Sequence, residues 1–178
     1  MFDKIKNSTK YVIENSKYVS INYSKLDKFI KNIDCTNLKN WLLYNPYNLL
    51  ELNVEKIINF LLFFEAIDYS FWGEPKWQVE TKEGLKGYAD YKIPQTLRAL
   101  EIIRYNDELS KIIDSKKEIE VNSLYEIEIR ASQIVVLEYI KNKLKNIDSI
   151  DINDFLFLYS KQIKAKAKPY HLCRNTNY

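Results

Sequence analysis

Glycine, proline and cysteine are scarce in this chain of 178 residues, which has only three glycines, four prolines and two cysteines. So few turn-forming residues argue against a many-stranded sandwich or barrel, in which successive strands are joined by tight turns. Cys35 and Cys173 are too few and too far apart to indicate a disulfide framework or a zinc site, although the single histidine, His171, lies close to the second cysteine. These scarcities favour a helical domain.

A long apolar run and a strong net charge are also missing. The longest apolar stretch, from Ile57 to Phe64, is interrupted by Asn59 and is too short to cross a bilayer. The N-terminus lacks the apolar run of a signal peptide. The formal net charge of +3 creates no field that would by itself indicate a nucleic-acid partner. We therefore expect a cytoplasmic protein that binds neither a membrane nor, directly, nucleic acid.

The positive charge is nevertheless unevenly distributed. The last eighteen residues hold five cations and no acid: Lys161, Lys164, Lys166, Lys168 and Arg174. A solvated basic end is the simpler interpretation of this run, and a phosphate-binding tail is the alternative.

The apolar residues, which make up 46% of the chain, recur at the spacing of helices with one buried face. Capping or proline residues predict helix starts at Ser24, Thr36, Asn53, Pro94 and Ser123 and near Asp151. The helix after Asn53 is apolar nearly all round and should be central to the domain. The sequence thus predicts a single all-α domain over residues 1–178, with at most a small β-hairpin near 76–88.

Three of these helices carry definite expectations about their buried faces. The helix at Pro94 should run through Leu97, Leu100 and Ile103, with its proline in the first turn. The helix capped by Ser123 should turn five residues inward, namely Ile127, Ala131, Ile134, Val135 and Leu144. The last helix should bury Phe155, Leu158 and Ile163.

All three glycines lie between Gly73 and Gly87, directly after the aromatic-rich start of the stretch from Asp68 to Trp77. Functional groups tend to sit on irregular backbone of this kind. A carboxylate among so many aromatic side chains needs a partner. The stretch is therefore a candidate binding segment.

Three segments, in this order along the chain, resemble the queuosine salvage family. They are Y-A-D-Y-K-I-P-Q at 88–95, E-I-E-I-R-A at 126–131 and P-Y-H-L-C-R-N-T-N-Y at 169–178. The segments D-Y-S-F-W at 68–72 and Y-V-S-I-N at 18–22 are also similar to family segments, and the family's order holds from residue 11 to 178. The chain departs from the family between about 80 and 86, where the usual long helical segment is shortened or absent.

The resemblance implies a fold related to the helical DNA glycosylases. It also implies hydrolysis of queuosine 5'-monophosphate, or of queuosine, to release queuine for tRNA modification, with a small-molecule nucleotide as substrate and no metal or organic cofactor. A DNA glycosylase proper fits the residues less well, because its helix-hairpin-helix needs glycines and none follows Gly87. Two alternatives remain: a non-catalytic module that binds a modified nucleotide, and a nucleic-acid base glycosylase or tRNA-binding protein that uses the basic tail. The sequence carries no signal for an oligomeric state.

The catalytic candidates are Asp90 and Lys92. Cleavage of an N-glycosidic bond passes through an oxocarbenium-like sugar, which a carboxylate beneath the anomeric carbon stabilises or attacks. The resemblance points to Asp90 as that carboxylate, and a simple helix cap before Pro94 is the structural alternative. Lys92 is suited to pair with Asp90 and hold it ionised, and a solvent-facing lysine is its alternative.

The base-binding candidates are Asp68, Phe71, Trp72 and Tyr91. Aromatic rings stack on a flat heterocycle, while a carboxylate accepts hydrogen bonds from the guanine-like edge or from the side-chain ammonium of the base. Packing in the core is the rival explanation for Phe71 and Trp72.

The candidates for phosphate or ribose binding are His171, Arg174, Thr176 and Tyr178, which together offer a dense set of donors. A structural histidine in a frayed chain end is the alternative. We expect Arg130, by contrast, to form a buried ion pair with Glu126, because Glu128 lies only two residues away on the helix and faces elsewhere.

Overall fold

A computed structural model describes residues 2–33, 91–144, 147 and 149–174 of the chain, and this part is mainly helical. Its elements, in chain order, are α1 (Phe2–Glu14), β1 (Val19–Ile21), α2 (Tyr23–Lys31), α3 (Lys92–Ala99), β2 (Ile103–Tyr105), α4 (Asp107–Asp114), α5 (Leu124–Lys143) and α6 (Ser149–Gln162), followed by a 3-10 turn at Lys164–Lys166. The all-α class is confirmed. The helices predicted after Thr36 and Asn53, and the hairpin predicted near 76–88, lie outside the described residues.

Polar side chains cap the first turns of three helices. At the start of α2 the Asn22 side chain accepts a hydrogen bond from the Lys25 N–H, and a cap of the same kind opens α4. At α5 the Ser123 hydroxyl accepts from the Glu126 N–H, which confirms the start predicted from the capping box. Local capping signals therefore locate the starts of α2 and α5 to within about two residues, whereas the start of α4 was not predicted.

The helix α3 ends at Ala99, although the apolar spacing predicts that it continues through Ile103. Its last turn closes with a 2.9 Å hydrogen bond from the Ile102 N–H to the Leu97 carbonyl, and Glu101 takes a positive φ of 57°. This is a Schellman ending, in which glycine usually supplies the left-handed residue. No local signal marks this ending, because a glutamate stands at the left-handed position.

The strands β1 and β2 pair antiparallel, with Val19 opposite Tyr105 and Ile21 opposite Ile103. This small sheet joins the N-terminal segment to the chain that follows α3. Ile103 is fully buried in it, and a β-branched side chain suits a buried strand position. The predicted helix through Ile103 is wrong because the strand supplies both backbone pairing and burial at this residue.

The helix α5 packs against α1, α2, α3, α6 and β1, and α3 packs on α6. The largest fully buried side chains come from α2 to α6 and their connections: Leu26, Ile93, Leu97, Ile102, Ile103, Leu109, Ile113, Ile129, Ile140, Ile152 and Leu156. Within the described ranges no helix combines the length and the apolar character needed to cross a membrane.

The buried face of α5 differs from the one that the apolar spacing predicts. Ala131 is buried as expected, but Ile127 is 38% exposed, and Ile134, Val135 and Leu144 are only half-buried. Two carboxylates, Glu126 and Glu128, occupy buried positions instead. A pattern based on apolar residues cannot detect a face that is partly built from buried acids with hydrogen-bond partners.

The last helix shows a smaller shift of the same kind. It begins at Ser149, close to the predicted Asp151. Its buried apolar residues are Ile152 and Leu156, whereas the predicted Phe155, Leu158 and Ile163 are half-buried.

Candidate active site

The start of α3 lies against the C-terminal segment of the described chain. Lys92 is the first residue of α3, and Pro94 lies in its first turn as predicted. The rings of Tyr91 and Tyr170 are 4.6 Å apart between centroids, with an interplanar angle of 39°. The Lys92 ammonium lies 4.8 Å from the Tyr170 centroid and 5.8 Å from that of Tyr91. The structure thus brings together residues of the segments at 88–95 and 169–178.

The side-chain amide of Gln95 links α3 to Lys168, the residue just before the segment at 169–178. The Gln95 Nε2 donates a 2.6 Å hydrogen bond to the Lys168 carbonyl, and its Oε1 accepts a 3.1 Å hydrogen bond from the Lys92 Nζ. Gln95 was part of the sequence motif but was not among the predicted site residues, and neither was Tyr170. Their positions inside the two motifs are the only signal in the sequence that marks them, because their contacts depend on the assembled fold.

The C-terminal segment is held in place by backbone and charged contacts. The Ile119 N–H donates to the Leu172 carbonyl at 2.8 Å. The Lys168 Nζ lies 3.4 Å from the Asp114 carboxylate, which also accepts two hydrogen bonds from Arg98 at 2.7 and 3.0 Å. The Arg98 hydrogen bonds, more than any other contact, hold the pKa of Asp114 below its usual value. The segment therefore has a fixed course past the start of α3.

Arg174, a candidate for phosphate binding, lies at the surface. Its side chain is 70% exposed, and its Nε is 3.8 Å from the Glu118 carboxylate. An exposed pair at this distance is weak and screened by solvent. The guanidinium is therefore accessible to a competing anion such as a phosphate.

His171 lies beneath this surface, with only 2% of its area exposed. Burial, and secondarily the positive charge of Arg130, lowers the pKa of the imidazole to about 4. The ring is therefore neutral at physiological pH. A contact between His171 and a phosphate would be a hydrogen bond from a neutral imidazole and not an ion pair.

This buried imidazole predicts a pH-dependent stability. In the unfolded chain His171 binds a proton at its ordinary pKa of 6.5, whereas in the folded chain it does so only near pH 4. The stability that is present above pH 6.5 is therefore lost as the pH falls from about 6.5 to about 4. We expect the free energy of unfolding in urea to be about 2 kcal/mol lower at pH 5 than at pH 7.5. His171→Gln should remove most of this slope, and an unchanged slope in that variant would contradict the assignment.

The third segment, at 126–131, lines a cleft of about 240 Å³ between α1 and α5. Ser8 and Thr9 face Ile127 and Arg130 across this cleft. The Arg130 guanidinium is 3.4 Å from the Glu126 carboxylate, which confirms the predicted pairing, although the arginine side chain is 35% exposed and only the glutamate is buried. Since Arg130 also acts on the pKa of His171, the segments at 126–131 and 169–178 are electrostatic neighbours.

Glu128 on the same helix has a role that the sequence did not indicate. Its carboxylate accepts hydrogen bonds from three successive backbone N–H groups, those of Lys17, Tyr18 and Val19, at 3.0, 2.7 and 2.9 Å. Its hydrogen bonds run to the N-terminal segment, whereas Glu126 is the carboxylate that lies beside Arg130. Glu128 fastens the segment that leads into β1 onto α5.

Several predicted site residues lie outside the described residues: Asp68, Phe71, Trp72, Asp90, Thr176 and Tyr178. In the part of the chain that the structure describes, no three His, Cys, Asp or Glu side chains are grouped as a metal ion would require. The predicted residues that can be compared are Tyr91 and Lys92, which lie together, and His171 and Arg174, of which one is buried and the other exposed.

Comparison with known proteins covers the part of the chain that holds all three segments. The sequence model of a family described as "Queuosine salvage protein" matches residues 82–178. A relative from Sphaerobacter thermophilus named "Queuosine 5'-phosphate N-glycosylase/hydrolase" is 33% identical over 98 residues, which cover 53% of this chain and 30% of the relative. A relative of the same name from Dictyostelium discoideum is 33% identical over 88 residues, covering 47% of this chain and 27% of the relative. The chain therefore spans about three tenths of the length of these curated relatives.

Proposed function

The chain belongs to the queuosine salvage protein family, and from this premise we propose that it is an N-glycosylase that hydrolyses queuosine 5'-monophosphate, or queuosine, to release queuine. The observation that carries this proposal is the meeting of two family segments, in which Tyr91 and Lys92 at the start of α3 contact Tyr170. In the reaction the bond between the anomeric carbon and the base nitrogen breaks. Water supplies the hydroxyl that the sugar gains and the proton that the base takes.

The proposed chemistry centres on Asp90, which stands two residues before the first residue of α3. Its carboxylate stabilises or attacks the oxocarbenium-like ribose, and Lys92 holds that carboxylate ionised. A 7-deaza base lacks the ring nitrogen that ordinary purine glycosylases protonate. Stabilisation of the sugar cation therefore supplies a larger share of the rate enhancement than in those enzymes.

The remaining roles in the proposal follow from side-chain chemistry. Tyr91 offers an aromatic face for the base, as do Phe71 and Trp72, and Asp68 accepts hydrogen bonds from its polar edge. The Arg174 side chain is 70% exposed, so its guanidinium is suited to attract the 5'-phosphate. His171 would add a neutral donor, and Thr176 and Tyr178 would supply hydroxyls.

The test is direct detection of queuine by mass spectrometry after purified protein is incubated with queuosine 5'-monophosphate. We expect time-dependent release of queuine, and no release of guanine from guanosine 5'-monophosphate, which serves as the matched control substrate. Saturable binding of the nucleotide without release would instead identify a non-catalytic binding module. The chain spans only about three tenths of the length of the curated relatives. The same experiment therefore has to distinguish binding alone from binding followed by hydrolysis.

The alternative that the protein binds nucleic acid can be distinguished from the proposed function by the salt dependence of binding. A protein that uses the basic tail on tRNA or DNA releases counterions, so its affinity falls steeply with salt. Queuine release accompanied by weak, salt-sensitive binding to tRNA would support the small-molecule substrate. Strong tRNA or DNA binding without queuine release would contradict the proposal.

A further inference from the structure

We infer that Gln95 is the positioning residue for Lys92. Its amide fixes the location of the lysine ammonium and ties that lysine to the C-terminal segment. This inference rests on the proposed function, in which Lys92 acts on Asp90. Gln95 is not a catalytic residue, because it acts through another side chain.

The orientation of the Gln95 amide is determined by its two partners. Its Nε2 donates to the Lys168 carbonyl at 2.6 Å, and its Oε1 accepts from the Lys92 Nζ at 3.1 Å. A flipped amide would place oxygen against oxygen at Lys168 and an NH₂ group against an ammonium at Lys92. Both contacts would then be repulsive, so only the observed orientation is compatible with both neighbours.

The anchor of this amide is a backbone atom far away in the sequence. The Lys168 carbonyl belongs to the segment that continues to Tyr170, whose ring lies 4.8 Å from the Lys92 Nζ. The same segment is fixed to the rest of the chain by the Ile119–Leu172 backbone hydrogen bond. Gln95 thus connects the Lys92 ammonium to a backbone segment that is itself held in place.

The contacts with Gln95, Tyr91 and Tyr170 restrict the lysine through groups that carry no net charge. A free lysine side chain samples many rotamers, and part of this freedom is lost when its head group is held. An amide oxygen and the faces of two rings stabilise an ammonium without adding a negative charge of their own. The ammonium is thereby held in one place before the reaction begins, as is required of a group that acts on a catalytic carboxylate.

The experiment is a double-mutant cycle with Gln95→Met, Lys92→Met and the double variant. Methionine is close to glutamine in length but makes neither hydrogen bond. Gln162→Met, on the exposed end of α6, is the matched control. We expect Gln95→Met to lower kcat for queuine release by about 10- to 100-fold, with KM changed by less than about threefold. In the Lys92→Met background the same change should have almost no further effect.

A structural role for Gln95 would give a different pattern. Its substitution would then lower activity by the same factor in the presence and absence of the Lys92 ammonium. Additive effects would therefore overturn the inference.

A second measurement does not depend on catalysis. The side-chain order parameter of the Lys92 ε-methylene group, assigned through its loss in Lys92→Met, should fall in Gln95→Met and stay unchanged in Gln162→Met. If this order parameter falls in Gln95→Met but the unmodified protein releases no detectable queuine, the positioning of Lys92 is upheld and only the proposed function is overturned. An unchanged order parameter in Gln95→Met would overturn the positioning inference itself, whatever the activity.

Discussion

Replacement of Asp90 by asparagine should lower kcat/KM for queuine release by about 10²–10³-fold, the loss expected when a group that stabilises the charge of a transition state is removed. Asparagine keeps the size of the side chain and one acceptor oxygen but removes the negative charge. An oxocarbenium-like sugar needs that charge, either to stabilise the cation or to form a bond with it. The binding of the nucleotide, measured by calorimetry, should change little by comparison.

The same substitution separates catalysis from helix capping. Asparagine and aspartate are about equally good capping residues, so a carboxylate that only capped α3 would be replaced without loss of activity or of stability. Asp107→Asn is the matched control because Asp107 lies exposed in the first turn of α4. Full activity in Asp90→Asn, with queuine still released, would rule out Asp90 as the catalytic carboxylate.

Local signals in the sequence predicted the helical class and several helix starts. The Ser123 cap and the first-turn Pro94 are short-range features whose physical effect does not depend on the rest of the fold. The end of α3 could not be predicted in this way. Glu101 adopts a left-handed conformation in a turn that buries Ile103 against a strand distant in the sequence, and only the assembled structure supplies that burial.

The candidate site was predictable to a similar degree. The motif at 88–95 pointed to Tyr91 and Lys92, and the segment at 169–178 pointed to the chain end that they contact. The link between them, from Gln95 to the Lys168 carbonyl, joins a side chain to a backbone atom. Any residue type offers the same carbonyl, so no sequence pattern identifies such a partner.

Glu128 shows most clearly why burial cannot be predicted from apolar spacing alone. It is only 3% exposed on α5, although an acidic side chain ordinarily lies at the surface. Three backbone N–H groups compensate its desolvation, since hydrogen bonds to a charged acceptor are stronger than those between neutral groups. The carboxylate thus supplies the hydrogen-bond acceptors for three successive backbone N–H groups at 17–19.

Glu128→Ala should therefore lower the free energy of unfolding by about 3 to 5 kcal/mol. The substitution leaves the Val19 N–H without its acceptor in a buried position, and it frees the N–H groups of Lys17 and Tyr18 at a part-buried one. Glu128→Gln should cost less. An amide oxygen in the place of Oε2 still accepts from Tyr18 and Val19, while its NH₂ group opposes only the Lys17 N–H.

The measurement is urea unfolding of these variants, with the exposed Glu120→Ala as the control for the loss of one acidic side chain. Amide hydrogen exchange adds a local readout, because the N–H groups of Lys17, Tyr18 and Val19 should exchange faster in Glu128→Ala than in the unmodified chain. If Glu128→Ala unfolds at the same urea concentration as Glu120→Ala, the carboxylate does not hold this segment. If Glu128→Ala is destabilised as expected, the segment at 126–131 has two separate roles. Glu126 and Arg130 form one side of the cleft, and Glu128 holds the N-terminal chain whose helix α1 forms the other side.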